Sequence, residues 1–325
     1  MKINSKKKFL VTGGSGFIGS NIVRKLLSLG HFVSILDNNS RGKINNLIDI
    51  QDELEFFSGD IRDKEAIIEA SKNTNCIIHL AYINGTKNFY EKPYEILDVA
   101  VKGMTNVLDS MDVNDINNLI LASSSEVYQQ PLKIPTDENI TLSVQDVFNP
   151  RNSYGGGKII SELLSINYAR SRNKKVLIFR PHNVYGPNMG YDHVIPEFYQ
   201  AIFPQLKNKE IFLEIQGSGN ETRSFIFIDD FIKGFEILLN SGKNNNIYNI
   251  GTQNELSINE LIKIISKVIG KKINIINKEI QSGSTLRRCP DITKLQALGF
   301  VPKIEIEDGI RQTFLWYSKN TSNKL

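Results

Sequence analysis

At 325 residues, with 40% hydrophobic and 23% charged residues, the chain can bury a large core and exceeds a minimal binding module. Its formal net charge of +4 comes from lysines and arginines interleaved with acids, so no long basic face emerges. That argues against a nucleic-acid polymer as partner and suits a small phosphorylated anion.

Cys76 and Cys289 match no metal spacing and build no framework of bridges, which fits a reducing, cytoplasmic setting. No apolar run approaches the ~20 residues of a membrane span. The basic start MKINSKKK runs into FLVTGGSGFIG, where glycines replace the apolar stretch of a signal peptide, so we read no targeting signal. FLVTGG, FVSILD, LEFFSGDI, CIIHLA, LILASSS and VLIFRPH then read in order as buried strands. Amphipathic segments lie between several of them: SNIVRKLLSLG, DKEAIIEASK, ILDVAVKGMTNVLDSM and KIISELLSINYARS. The alternation predicts an α/β fold, a doubly wound (Rossmann) parallel sheet with ligands at the carboxyl ends of its strands.

After about residue 184 the rhythm changes to shorter mixed elements. Helices are expected near IPEFYQAIF, FIKGFEILL and INELIKIISKVI, and strands at IFLEIQ, SFIFI and YNIG. Asp229 and Asp230 read as helix caps, and SKNTSNKL as a frayed end. No linker or repeat appears, so this part should fold onto the first.

TGGSGFIGS, residues 12–20, follows the first strand and opens the first helix. Gly13 allows a tight turn, Gly16 lets backbone N–H groups approach a pyrophosphate, and Gly19 lets helix and strand pack closely. Asp37 ends the second strand about 20 residues on, where a carboxylate accepts both adenosine ribose hydroxyls. A plain tight turn would explain the glycines but not Asp37. Its charge favours NAD over NADP, with Arg41 read as a solvated neighbour.

Tyr154 and Lys158 in SYGGGK share a helix face. An ammonium and a nicotinamide cation would both lower a phenol from its usual value near 10, giving a base for a hydroxyl proton while hydride leaves the same carbon. With eleven tyrosines in a lysine-rich chain, about one such spacing arises by chance, so context must support it. SSSEVYQQP supplies that context at a strand's carboxyl end, where Ser124 can hydrogen-bond the reacting oxygen.

Together these stretches resemble the extended short-chain dehydrogenase/reductase family of NAD-dependent nucleotide-sugar epimerases and dehydratases. TGGSGFIG, LDNNSRGK, GDIRD, HLA, SSSEVY, SYGGGK, FRPHNVYGP, HVIPEF, GSGNETRSFIFIDD and RRCPDITK carry the resemblance over nearly the whole chain. It implies Gly13, Gly16, Phe17, Ile18 and Gly19 on the pyrophosphate and Asp37 with Asn38 on the ribose. Asp60 and Ile61 would flank adenine, and Leu80 with Ala81 would lie under the cofactor. Ser124, Tyr154 and Lys158 fall at the catalytic positions, Lys158 also holding the nicotinamide ribose. Ser124, Asn183, Val194, Arg223 and Arg288 would hold the sugar nucleotide. A Rossmann domain over 1–183 plus about 224–250, a smaller C-terminal substrate lobe over 184–223 and 251–325, and a homodimer through the helix of Tyr154 and the preceding one follow.

Glu126 bears on the reaction. The resemblance places a Glu there in dehydratases and decarboxylases, the dehydratase glutamate taking the C5 proton of a 4-keto sugar, whereas 4-epimerases more often have a small residue. A strand-end glutamate facing water is the plainer reading. C4 oxidation followed by 4,6-dehydration is therefore expected, with 4-epimerisation and net C4 dehydrogenation as alternatives. A catalytically silent NAD-binding protein is disfavoured by the complete Ser124, Tyr154, Lys158 set. Gly157, Ala100, His182 and Gln129 depart from the family pattern, and His182 with the loop YINGTKNFYEKP is expected to shape the sugar pocket.

Overall fold

Phe9 and Val11 belong to one hydrophobic core and Leu10 between them to another, as strand alternation requires when both faces of a sheet are covered. The computed structural model describes residues 5–279, 283 and 285–321, so the last four residues of SKNTSNKL lie outside the described residues. Strands β1 (Lys8–Thr12), β2 (Phe32–Asp37), β3 (Leu54–Ser58), β4 (Cys76–His79), β5 (Asn118–Ala122) and β6 (Lys175–Pro181) join the strand Asn246–Ile250 in a seven-stranded parallel sheet. From one edge the order is Asn246–Ile250, β6, β5, β4, β1, β2, β3. The chain winds outward in both directions from β1, so the order reverses between β1 and β4 and a crevice opens at their carboxyl ends.

One face packs Ile22, Val23 and Leu26 of helix Phe17–Ser28 with Phe231, Phe235 and Leu238 of helix Ile228–Ser241. The other packs Ile67 of helix Lys64–Ala70, Met104, Val107 and Met111 of helix Met104–Val113, and Ala169 of helix Asn152–Arg172. The doubly wound α/β fold is thus present.

The remaining elements form small sheets beyond the crevice. Ile211–Gln216 pairs in parallel with Ile273–Lys278, and Thr222–Ser224 lies between Glu255–Ser257 and Arg287–Arg288. The predicted SFIFI strand is broken, ending at Ser224 and resuming at Ile226–Phe227 beside Val184–Tyr185. Asp229 and Asp230 do not cap their helix; Phe227 is the cap residue, and both aspartates sit in the first turn. Asp230 instead accepts the backbone N–H groups of Lys303 and Ile304 at 2.8 Å, fastening the C-terminal segment.

Candidate active site

The phosphate loop is shaped by contact. Gly13 has φ +72°, and a Cβ there would lie 2.8 Å from the Ala81 backbone; a Cβ at Gly19 would overlap the Gly13 carbonyl oxygen. The helix that follows begins at Phe17 behind Gly16, which offers no side-chain cap, so its first N–H groups are left for a ligand. Gly16, Phe17, Ile18, Leu80, Ala81 and Ile61 line a cleft of about 1630 Å³, large enough for a dinucleotide and a second ligand.

Asp37 accepts the Ser15 N–H at 3.0 Å and the Asn39 N–H at 2.8 Å, which orients its carboxylate and leaves lone pairs for ribose hydroxyls. Arg41 reaches away to Asp192 at 3.2 Å, so it is not held in position for a 2′-phosphate. Asp60 is committed to Arg62 and to Asn38, and the Arg62 guanidinium holds its carboxyl down at about 2. Its carboxylate is thus fixed in the cleft by an ion pair.

At the other end of the cleft, β5 stops at Ala122 and Ser124 caps a 3-10 turn over Ser125–Tyr128 by accepting the Glu126 N–H at 3.1 Å. Glu126, two residues after Ser124, therefore does not reach the cleft along a continued strand. The turn carries it there.

Tyr154 lies in the first turns of helix Asn152–Arg172 and Lys158 one turn on, its Nζ donating to the Ala122 carbonyl at 2.8 Å. Burial pushes the Tyr154 phenol up to about 12, against which a hydrogen bond with Ser124 acts to lower it. Burial pushes the Lys158 ammonium down to about 7, opposed by Glu162. The expected lowering of the phenol is therefore not produced by protein groups alone, because Lys158 Nζ stands 6.0 Å from the Tyr154 ring centre and desolvation wins.

Glu126 meets Arg288 at 2.7 Å and Arg151 at 3.6 Å. Burial alone would raise its carboxyl, but Arg288, then Arg151 and Arg223, outweigh it and hold the group at about 2. Arg223 is fixed through the carbonyls of Thr222 and Thr285, and Arg288 through the Thr285 hydroxyl, so three guanidinium groups converge on one carboxylate. Such a cluster suits a diphosphate. Asn183 donates to the Ser224 carbonyl at 2.9 Å, and Val194 opens helix Val194–Ile202; both face the cleft.

The family described as NAD dependent epimerase/dehydratase matches residues 9–251. The chain belongs to that family. It is 37% identical to a putative UDP-glucose 4-epimerase of Methanocaldococcus jannaschii, over 96% of this chain and 98% of the relative. It is 30% identical to a UDP-N-acetyl-alpha-D-glucosaminuronate decarboxylase of Bacillus cytotoxicus, again over 96% and 98%. The solved dTDP-glucose 4,6-dehydratase of Streptomyces venezuelae with NAD bound superposes with a TM-score of 0.86 at 27% identity, over 97% of this chain and 98% of that one. The protein is thus an NAD-dependent enzyme that modifies a nucleotide sugar, of the extended short-chain dehydrogenase/reductase kind.

Several members of the site were not singled out from sequence. The loop after β4, expected to shape the sugar pocket, packs on Tyr154 along the cleft: Tyr82 meets Tyr154 edge-on with ring centres 5.1 Å apart, and Phe89 stacks on it at 4.6 Å. Arg151 stands three residues before Tyr154, and that spacing at a helix start was its one signal. His182, by contrast, is fully buried and meets Asn249 at 3.1 Å, inside a network with Tyr128 and Arg180. It supports the sheet end rather than lining the cleft. Gln129 takes φ +48° where the family uses glycine, held by its carbonyl bond to Thr285 and its side-chain bond to the Gln145 N–H.

Proposed function

We propose that this enzyme oxidises a nucleotide-linked sugar at C4 and then acts at C5 and C6 with Glu126 as base, in the manner of a 4,6-dehydratase. NAD, when bound, supplies the acceptor for the C4 hydride and its later donor. Gly13, Gly16, Phe17, Ile18, Gly19, Asp37, Asn38, Ile61, Leu80 and Ala81 would hold it, with Asp60 braced at the adenine end. Tyr154 takes the proton of the 4-hydroxyl, Ser124 holds that oxygen, and Lys158 supplies positive charge beside them. The resulting ketone acidifies C5–H, Glu126 removes that proton, and the C6 hydroxyl departs with a solvent proton as water; hydride then adds at C6 and a solvent proton at C5. Arg223 and Arg288 take the diphosphate, with Asn183 and Val194 at the nucleotide, in a substrate lobe over 184–223 and 251–325.

The observation supporting this reading is the carboxylate itself. Glu126 is brought to the cleft beside Tyr154, and the Cβ position of Gly155 lies 2.7 Å from its backbone oxygen. Its arginine partners are the groups a diphosphate would claim. As the phosphate takes Arg288, Glu126 regains proton affinity and becomes a stronger base.

A second reading, 4-epimerisation, is supported by the same ion pair seen the other way: a carboxylate held at about 2 is a weak base. The 37% identity to a putative UDP-glucose 4-epimerase adds to it. Incubation with UDP-, dTDP-, GDP- and CDP-sugars in heavy water, followed by product NMR, separates the two. Dehydration gives a 6-deoxy-4-keto product carrying deuterium at C5, and epimerisation gives an unlabelled 4-epimer. Glu126→Gln should stop exchange at C5 while C4 oxidation continues; unchanged exchange would remove Glu126 from the chemistry.

We also take the enzyme to be a cytoplasmic homodimer. Its interface would form on helix Asn152–Arg172 and the preceding helices, where Leu163 (56%) and Val101 (42%) stand exposed.

A further inference from the structure

We propose that Tyr82 is a positioning residue for Lys158 and Tyr154, and that residue 157 is glycine because the Tyr82 hydroxyl occupies the space where any side chain there would begin. The role rests on the reading of Tyr154 and Lys158 as the reacting pair; the packing claim does not.

The packing is direct. A Cβ at 157 would overlap the Tyr82 hydroxyl oxygen and lie 2.9 Å from the Ala100 Cβ, but 3.6 Å from the ring carbon bearing that hydroxyl. Taking away the one oxygen would thus relieve the closer of the two overlaps and leave the one with the Ala100 Cβ. The hydroxyl is buried and has no hydrogen-bond partner among the described residues, so towards Lys158 and Tyr154 the ring is the part of Tyr82 that acts.

That ring packs against both reacting groups. Its centre lies 3.8 Å from Lys158 Nζ, and it meets Tyr154 edge-on at an interplanar angle of 86°. An aromatic face attracts a cation, most strongly where water is excluded. Of the titratable groups around Lys158, Glu162 supports its charge and His79 does not. His79 is a buried imidazole whose protonation is suppressed by burial and by Lys158 itself, and Glu162 is tied to Arg180 at 2.6 Å. The Tyr82 face therefore opposes the desolvation of the ammonium and keeps the charge that a Tyr154 phenolate needs. Loss of the face would let Lys158 shed its proton at lower pH and leave the phenol harder to ionise.

Two measurements on the NAD complex test this without a known substrate. The first is a phenolate absorbance titration, with the trace of Tyr154→Phe subtracted to isolate Tyr154. Tyr82→Phe should keep the ionisation midpoint, and Tyr82→Leu, which keeps apolar bulk without a π face, should move it up by about half a pH unit or more. Tyr82→Met serves the same purpose if the leucine variant does not fold. An unmoved midpoint without the ring, or a moved one in Tyr82→Phe, would overturn the positioning role.

The second is a thermal cycle. Gly157→Ala should lower the unfolding midpoint by several degrees, and by less in the Tyr82→Phe background, where only the Ala100 overlap remains. Equal losses in the two backgrounds would overturn the packing claim. Absence of a Tyr154 signal in the unmutated enzyme would defeat the assignment of Tyr154 as base, and the positioning role with it, while the thermal cycle would still judge the Tyr82–Gly157 contact.

Discussion

Tyr154 and Lys158 are both displaced by burial towards their neutral forms, the phenol upward and the ammonium downward. The proposed chemistry needs the opposite state of each: a cofactor cation would favour the phenolate, and the phenolate in turn would favour the ammonium. Tyr154→Phe should reduce turnover by about 10²–10⁴-fold or more while NAD affinity is retained, as seen by isothermal titration; near-normal turnover would refute its role as base. Lys158 adds a signature in stability. It releases its proton at about 7 when folded, against an ordinary 10.5, so over that window the unfolded chain binds more protons. The cost of burying the cation is complete below about 7 and fades as pH rises towards 10.5. Lys158→Met should therefore raise the melting temperature of nucleotide-free protein most near about pH 6 and least near about pH 10, even as it destroys activity.

The elements that carry these groups are joined by a buried ion pair. Arg180 on β6 makes two bonds to Glu162 on the Tyr154 helix, at 2.8 and 2.6 Å, and faces the Tyr128 ring at 4.8 Å. Removing one partner leaves the other as an uncompensated charge, so Glu162→Ala should cost about 3–5 kcal/mol in denaturant unfolding. Elements and motifs of this kind differ in how far sequence reveals them. Gly13, Asp37, Ser124 and Tyr154 were legible because each is set by local geometry: a turn, a strand end, a helix start. Glu126 was legible as a residue but not in its setting, because Arg288 lies 162 positions away in the chain. Tyr82 and Gly157 belong to different elements, and nothing in either segment announces that they touch. The broken SFIFI strand and the tethering role of Asp230 were hidden for the same reason, since both depend on remote chain segments.

For the whole molecule, the parallel sheet was legible from alternation alone, because burial on both faces makes near-continuous apolar strands. Its pairing order was not, since the last strand arrives from residues 246–250 to cover β6. The assembly reading is tested at this scale: Leu163→Glu should shift sedimentation from dimer to monomer while the melting temperature changes little. A species whose mass is unaffected would move the interface elsewhere.

That late strand also bears on how the protein is made. Synthesis from the amino end finishes β6 with residue 181, yet its neighbour is completed only at 250, so the growing chain carries an unsatisfied sheet edge for roughly 70 residues of translation. At about 5–20 residues per second that exposure lasts several seconds, time for a ribosome-bound chaperone to shield the edge.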